Sequence, residues 1–397
     1  MRTLISGIGT IASGDIARPV LDADSVLIED GRIAAIGRGL DGDAGSGGPL
    51  DRAIDAKGTT LIPGLIDSHA HPVFGDFTPR QRTIDFIESG LHGGVTTVMS
   101  AGEVHLPGRP KDIIGLKALA IVAVRSYTNV RPAGVKVHAG APILELGLEE
   151  HDFAELADAG VTLIGEIGLG SVKTGAQAAP MVAWAKQHGM TVTFHTGGPS
   201  IAGSSAIAAD AVLEARPHIV GHINGGTTAM SDADIARLVD TDMAIEIVHC
   251  GNGRAALHAV RLAADVNGLE RVIIGNDAPS GTGVIPLGIL RVMAHLASLG
   301  GVDPAVAVAM ATGNTARVHG LDVGVIEIGR GADLCLVDAP IGSTAATALE
   351  ALAIGDLPGI SMVLIDGNVM LGRSRNTPPA AHAAEVVGGG GPSAGGH

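Results

Sequence analysis

The sequence predicts an α/β protein, a (β/α)8 TIM-type barrel with a small β-sandwich domain built from both chain ends. Three observations lead there. Between residues 61 and 320, apolar strand-like runs alternate with helix-like runs eight times, which is the pattern of a parallel barrel rather than of hairpins. Short strands broken by turns occur instead in the flanks, residues 1–60 and 321–387. Hydrophobic residues make up 46% of the 397-residue chain but aromatic residues only 2%, with 59 glycines, so the core must be built from Val, Ile, Leu and Ala close to backbone, as in buried parallel strands.

The N-terminal flank offers Leu4-Ile5, Ser25-Val26-Leu27-Ile28-Glu29 and Arg32-Ile33-Ala34-Ala35-Ile36-Gly37 as strands. Asp30-Gly31 between the last two is a strong hairpin signal, because both residues accept positive φ. Gly42 to Gly48 reads as an exposed loop. The same style returns in Ala332 to Asp338 and in Met362 to Val369. Two separated β-rich ends around a different middle imply one small domain made from both.

Within the middle, the first strand ends the run Thr60-Leu61-Ile62-Pro63-Gly64-Leu65-Ile66-Asp67-Ser68-His69-Ala70-His71. Seven more strands follow, in Gly94–Ser100, Gly134–His138, Val161–Glu166, Met190–His195, His218–His222, Met243–Val248 and Arg271–Asp277. A helix over Ala178–His188 is closed by Gly189 in the C-cap position. The glycine-rich end, residues 388–397, is expected to be disordered.

Charge and cysteine usage narrow the class of partner. With 41 acidic against 26 basic residues, the net charge is −15, which disfavours nucleic acid and anionic membrane and favours a small-molecule substrate. Cys250 and Cys335 are the only cysteines, too few for a disulfide framework and in keeping with a reducing cytoplasm. Neither a secretory signal nor an uninterrupted apolar stretch of roughly 20 residues is present.

The ends of the predicted strands carry the chemistry. In an extended chain the HxH spacing sends His69 and His71 to one face. Glu166, His195, His222 and Asp277 close later strands, and barrels of this kind assemble their active sites at that end. Each has a plain structural reading: Glu166 a helix cap, His195 and His222 core histidines, Asp277 an N-cap or turn residue. Six such placements together point to a metal site, since buried ionisable groups are rare unless paired or coordinated.

This pattern resembles the amidohydrolase superfamily, marked by HxH on the first barrel strand, a bridging residue on the fourth, His on the fifth and sixth, and Asp on the eighth. The longer segments Pro79-Arg80-Gln81, Leu91 to Thr97, Pro107 to Asp112, Arg131 to His138, Gly275 to Gly283 and Arg375 to Pro379 are similar to its enamidase branch, from bacterial nicotinate fermentation. The resemblance implies that His69, His71 and Asp277 hold one divalent ion, His195 and His222 a second, and that Glu166 bridges them. Zinc and ferrous iron suit such N and O ligands. The commonest bridge in the superfamily is a carboxylated lysine; the fourth strand here has Glu166 and no lysine, so the bridge is a plain carboxylate, with Lys136 as its only rival.

Two ions sharing one water give a hydroxide nucleophile near neutral pH, and Asp277 is placed to carry its proton to the leaving nitrogen. The branch acts on 1,4,5,6-tetrahydro-6-oxonicotinate, a cyclic enamide, releasing 2-formylglutarate and ammonia, and the resemblance also implies a homo-oligomer, a tetramer. Arg109 is a candidate for the substrate carboxylate, because the guanidinium fork matches one; its other reading is a structural ion pair. Asn224, two residues after His222, either bonds substrate or terminates its strand. The alternative function is hydrolysis of another cyclic amide or imide, dihydroorotase- or hydantoinase-like, on the same site. A deaminase is disfavoured, since Ile223 to Thr228 after His222 offers no carboxylate.

Overall fold

The computed structural model describes residues 1–41, 47–75, 82–199, 204–226, 228–279 and 285–388. Eight strands form the barrel: β1 (Leu65–Ala70), β2 (Val95–Ser100), β3 (Lys136–His138), β4 (Leu163–Ile167), β5 (Thr191–Phe194), β6 (Ile219–Val220), β7 (Ala244–Val248) and β8 (Val272–Gly275). Neighbours pair in parallel from β1 to β3 and from β4 to β8. Backbone hydrogen bonds join the two arcs. At one seam Asp277 N–H donates to the His69 carbonyl at 2.7 Å and His71 N–H to that of Ala278 at 2.8 Å; at the other, Glu166 N–H reaches the Ala101 carbonyl at 2.9 Å and Gly165 N–H that of Pro142 at 3.0 Å.

A helix follows each strand: Thr83–Leu91, Ile113–Asn129, Glu150–Asp158, Gly175–Gln187, Ala209–Ala215, Asp232–Val239, Gly253–Asp265 and Gly288–Ser298. Several starts are written in the sequence. Asp112, Ser231 and Asn252 each accept a backbone N–H of the first turn, and Thr174 with Gln177 forms a capping box. Gly189, with φ +73°, turns the chain away after the helix ending at Gln187. Apolar helix faces and the outward residues of the strands share one core, in which Phe153 and Phe194 are fully buried. Among the described residues, no helix is long and apolar enough to cross a membrane.

Both chain ends contribute to each of two further sheets. One has strands Thr10–Ala12, Val20–Leu21 and Thr60–Pro63 beside Leu334–Asp338, Gly359–Ile365 and Asn368–Leu371; the other has Arg2–Ser6, Ser25–Glu29, Arg32–Gly37 and Arg52–Asp55 beside Glu385–Gly388. They pack through Ile5, Ile11, Val26, Leu61, Leu336 and Leu364, all fully buried. Asp30-Gly31 makes the expected two-residue turn with φ +47° and +79°, and Asp366-Gly367 repeats it.

One expected strand is two. The run from Thr60 to His71 breaks at Gly64: Thr60–Pro63 pairs with Leu334–Val337, and only Leu65 onward enters the barrel. A Cβ at position 64 would lie 2.2 Å from the Thr96 hydroxyl, so the backbone can pass β2 there only as glycine. Gly388 ends a strand. The rest of the expected tail, most of the glycine-rich loop, Pro79-Arg80-Gln81 and Ser280 to Gly283 lie outside the described residues.

Candidate metal centre

The six residues singled out at the strand ends meet inside the barrel mouth, and none is more than 4% exposed. Glu166, in β4, divides its carboxylate between two histidine pairs. Its Oε2 lies 3.5 Å from His69 Nε2 and 3.6 Å from His71 Nε2, while Oε1 lies 2.6 Å from His222 Nε2 and 3.5 Å from His195 Nδ1. Asp277 Oδ1 stands 3.2 Å from His71 Nε2 and 3.8 Å from His69 Nε2. Two ligand sets result, His69 with His71 and Asp277, and His69 with Glu166 and His222; in each the donor atoms fall within 4.8 Å of one another. His195 joins the second region through Nδ1, 3.0 Å from His222 Nε2.

The backbone sets these directions. His222 and Asp277 both have positive φ, +31° and +58°, a conformation uncommon outside glycine that turns each side chain inward as its strand ends. The other nitrogen of each remaining imidazole is engaged elsewhere. His69 Nδ1 is 2.6 Å from Glu246 Oε2, His71 Nδ1 is 2.9 Å from the Gly102 carbonyl and His195 Nε2 is 3.1 Å from the Gly198 carbonyl. Such partners fix the tautomer and ring orientation that a metal ligand needs.

Sequence reading missed this supporting layer. Glu246 is fully buried in β7; it also accepts the Ser68 hydroxyl at 2.6 Å and the His222 N–H at 3.2 Å. Its signal was present, a carboxylate inside the apolar strand Ala244-Ile245-Glu246-Ile247-Val248. Asp67 lies one turn of the pleat before His69 and accepts N–H groups of His69 and Asn276 at 3.1 and 2.9 Å, tying β1 to the end of β8. Burial pushes its carboxyl up to about 7.

Charge inside the cluster is mutually supported. Burial favours neutral Glu166 and Asp277, but neighbouring imidazoles outweigh it and hold both carboxylates ionised. Burial likewise opposes charge on His69 and His222, yet the adjoining carboxylates raise both above the ordinary histidine range.

Three other residues have duties outside the cluster. Arg109 Nη1 lies 3.4 Å from Glu145 Oε1 with its side chain largely buried. Asn224 ties the loop after β6 to the end of β7: its amide donates to the Val248 carbonyl at 2.9 Å and accepts the Val248 N–H at 3.0 Å. Lys136 Nζ is 2.9 Å from Asp333 and 2.7 Å from Asp366, so it joins the barrel to the strands of the C-terminal flank.

His69 Nε2 is shut off from solvent and makes no hydrogen bond, and Glu166 Oε1, equally shut off, meets His222 Nε2 at 2.6 Å without hydrogen-bond geometry. Buried lone pairs without partners are costly, and a divalent cation among N and O donors satisfies them. The site thus fits a divalent metal.

Residues 60–370 match the model of the amidohydrolase family. Over 388 residues, 97% of this chain and 100% of the relative, the sequence is 56% identical to enamidase of Eubacterium barkeri. The crystal structure of an enamidase, at 56% identity, superposes with a TM-score of 0.94 and covers 98% of this chain and 100% of that one. Adenine deaminase of Ruegeria sp. (strain TM1040) is 28% identical over 341 residues, 80% of this chain but 51% of the relative, so the chain spans about half of that protein.

Proposed function

The chain belongs to the amidohydrolase family, and from that premise we propose that it is a metal-dependent hydrolase that opens the cyclic enamide 1,4,5,6-tetrahydro-6-oxonicotinate. The observation that carries the metal reading is the division of Glu166, one oxygen toward His69 and His71 and the other toward His195 and His222. In this reading His69, His71 and Asp277 hold one divalent ion, zinc or ferrous iron, and His195 and His222 hold a second, with Glu166 reaching both. When bound, such ions lower the pKa of a water and polarise the amide carbonyl.

The chain's own residues do the rest. Glu246 and the Gly102 carbonyl keep the Nε2 atoms of His69 and His71 turned inward. Asp277 takes a proton from the attacking water and passes it to the ring nitrogen as the C–N bond breaks. Water oxygen ends on the carbonyl carbon as a carboxylate, and the freed enamine adds a second water to lose ammonia, leaving 2-formylglutarate. Arg109 is the proposed grip for the substrate carboxylate; among the described residues, one long contact to Glu145 engages its five N–H donors.

The remaining parts of the reading have their own support. In this reading residues 61–320 are the hydrolase barrel and 1–60 with 321–387 the β-sandwich, and the pairing of Thr60–Pro63 with Leu334–Val337 supports giving the residues before Gly64 to the sandwich. Cys250 and Cys335 are buried and unbridged, which favours a reducing, cytoplasmic location. A homotetramer extends the likeness to the enamidase branch.

The test is incubation of the metal-loaded protein with 1,4,5,6-tetrahydro-6-oxonicotinate, dihydroorotate and hydantoin, following ammonia and product mass. Ring opening with ammonia release from the enamide alone is expected. Turnover of dihydroorotate or hydantoin with the enamide untouched would replace this reading with the cyclic amide or imide alternative.

A further inference from the structure

A cavity of about 420 Å3 lies behind the barrel wall. Its position follows from the alternation of β7: Glu246 points inward to His69, so Ile247 points outward and lines this cavity, across the wall from the metal centre. Helices Gly253–Asp265 and Gly288–Ser298 supply the facing side. The inner wall is the junction at which Asn224 clamps both backbone groups of Val248.

The lining is unusual for this chain. The protein carries a net charge of −15, yet among the described residues no Asp or Glu lines the cavity, while Arg291, His249 and His295 do. Arg291 is exposed and, among the described residues, forms no ion pair. His249 is half-buried and lines the cavity with its side chain. Burial and the nearby Arg291 charge hold His249 below the ordinary histidine range, so it offers a neutral N–H. Ile247, Val292 and Leu299 give the cavity an apolar side.

A guanidinium without an ion-pair partner, a half-buried imidazole and apolar walls together describe the complement of a small organic acid. We infer that this cavity is a second ligand site, separate from the metal centre, that takes a small carboxylate with an apolar body and grips it with Arg291 and His249. The guanidinium meets the carboxylate, the His249 N–H adds a second donor, and the body of the ligand displaces water from the apolar side.

Isothermal titration of the full-length, metal-loaded protein with benzoate tests the inference, with near-isosteric, uncharged benzamide as control. Benzoate is expected to bind saturably and to weaken as salt rises; benzamide should bind at least about tenfold more weakly. Arg291→Glu, at an exposed position, should keep the wild-type melting temperature and lower benzoate affinity at least about tenfold, and His249→Ala should weaken it as well. Absence of benzoate binding to the wild type, equal binding of benzamide, or an unchanged isotherm in Arg291→Glu would each overturn it. If benzoate also occupies the metal centre, the wild type shows two binding events and Arg291→Glu retains one, which supports the second site.

Discussion

Within His69, the contact of Nδ1 with Glu246 at 2.6 Å leaves Nε2 as the atom available to a cation. Glu246→Gln keeps the shape but replaces one acceptor oxygen with a donor NH2, so it should weaken metal affinity by about 10–100-fold. Titration of metal-free protein with zinc or cobalt checks this, and unchanged affinity would show that Glu246 does not orient the ligand. His69→Ala and His195→Ala should each lose bound metal while circular dichroism still reports a folded barrel, because the apolar core stands apart from the site. Protonation competes with metal here: neighbouring carboxylates raise His69 and His222, so metal uptake should release protons into a weak buffer and metal affinity should fall as pH falls. At this scale the sequence made the inner cluster of candidate ligands legible, since HxH on a strand sends both imidazoles to one face. Glu246 was harder, because its partner Ser68 is 178 residues away and only closure of the barrel brings them together.

Among elements, the seam between β1 and β8 decides where His69 stands. A Cβ on Gly275 would lie 2.6 Å from the His69 Cβ and 2.9 Å from the Ser68 hydroxyl. Gly275→Ala should therefore push β8 off β1, cost about 1–3 kcal/mol of stability and reduce metal content. Denaturant unfolding and metal analysis of one sample would check both, and a variant with wild-type stability and metal would show that the seam has slack. The eight strands were readable from their Val- and Ile-rich runs, but their edges were not. Hydrophobic patterning alone carries Thr60 through Ile66 as one run; the break at Gly64 depends on Thr96, 32 positions on in the neighbouring strand. Asn224 shows the same limit: its position two residues after His222 suited substrate or strand end alike, and its hydrogen bonds to Val248, 24 residues on, form only once β7 lies beside it.

Across the whole molecule, the barrel and the terminal strands are fastened by buried charge. Lys136 sits between Asp333, fully buried, and Asp366. Lys136→Met should cost about 3–5 kcal/mol, the penalty of leaving one buried partner uncompensated, and leave metal content unchanged because the lysine faces away from the cluster. His319 gives the fold a pH dependence. Both its ring nitrogens are buried without partners, and burial holds its pKa down to about 4. An unfolded histidine protonates near about 6.5, so the stability tied to neutral His319 is present above that pH and is lost as pH falls toward about 4. Between pH 7 and pH 5, His319→Leu should lose less stability than the wild type, measured by urea midpoints; equal losses would place His319 in solvent. The two-ended sandwich was legible from where turns cluster, whereas Lys136 as a fastener was not, since its partners lie in the distant C-terminal flank.

The central claim is that Glu166, as a plain carboxylate, joins two ions in a hydrolytic centre. It is tested most directly by counting metal per chain, beside enamide turnover in bicarbonate-free buffer, in wild type, Glu166→Gln and Lys136→Met. The account predicts two ions and full activity without bicarbonate in the wild type, loss of at least one ion and most turnover in Glu166→Gln, and wild-type metal in Lys136→Met. A Glu166→Gln protein that keeps both ions, beside a Lys136→Met protein that has lost them, would contradict it.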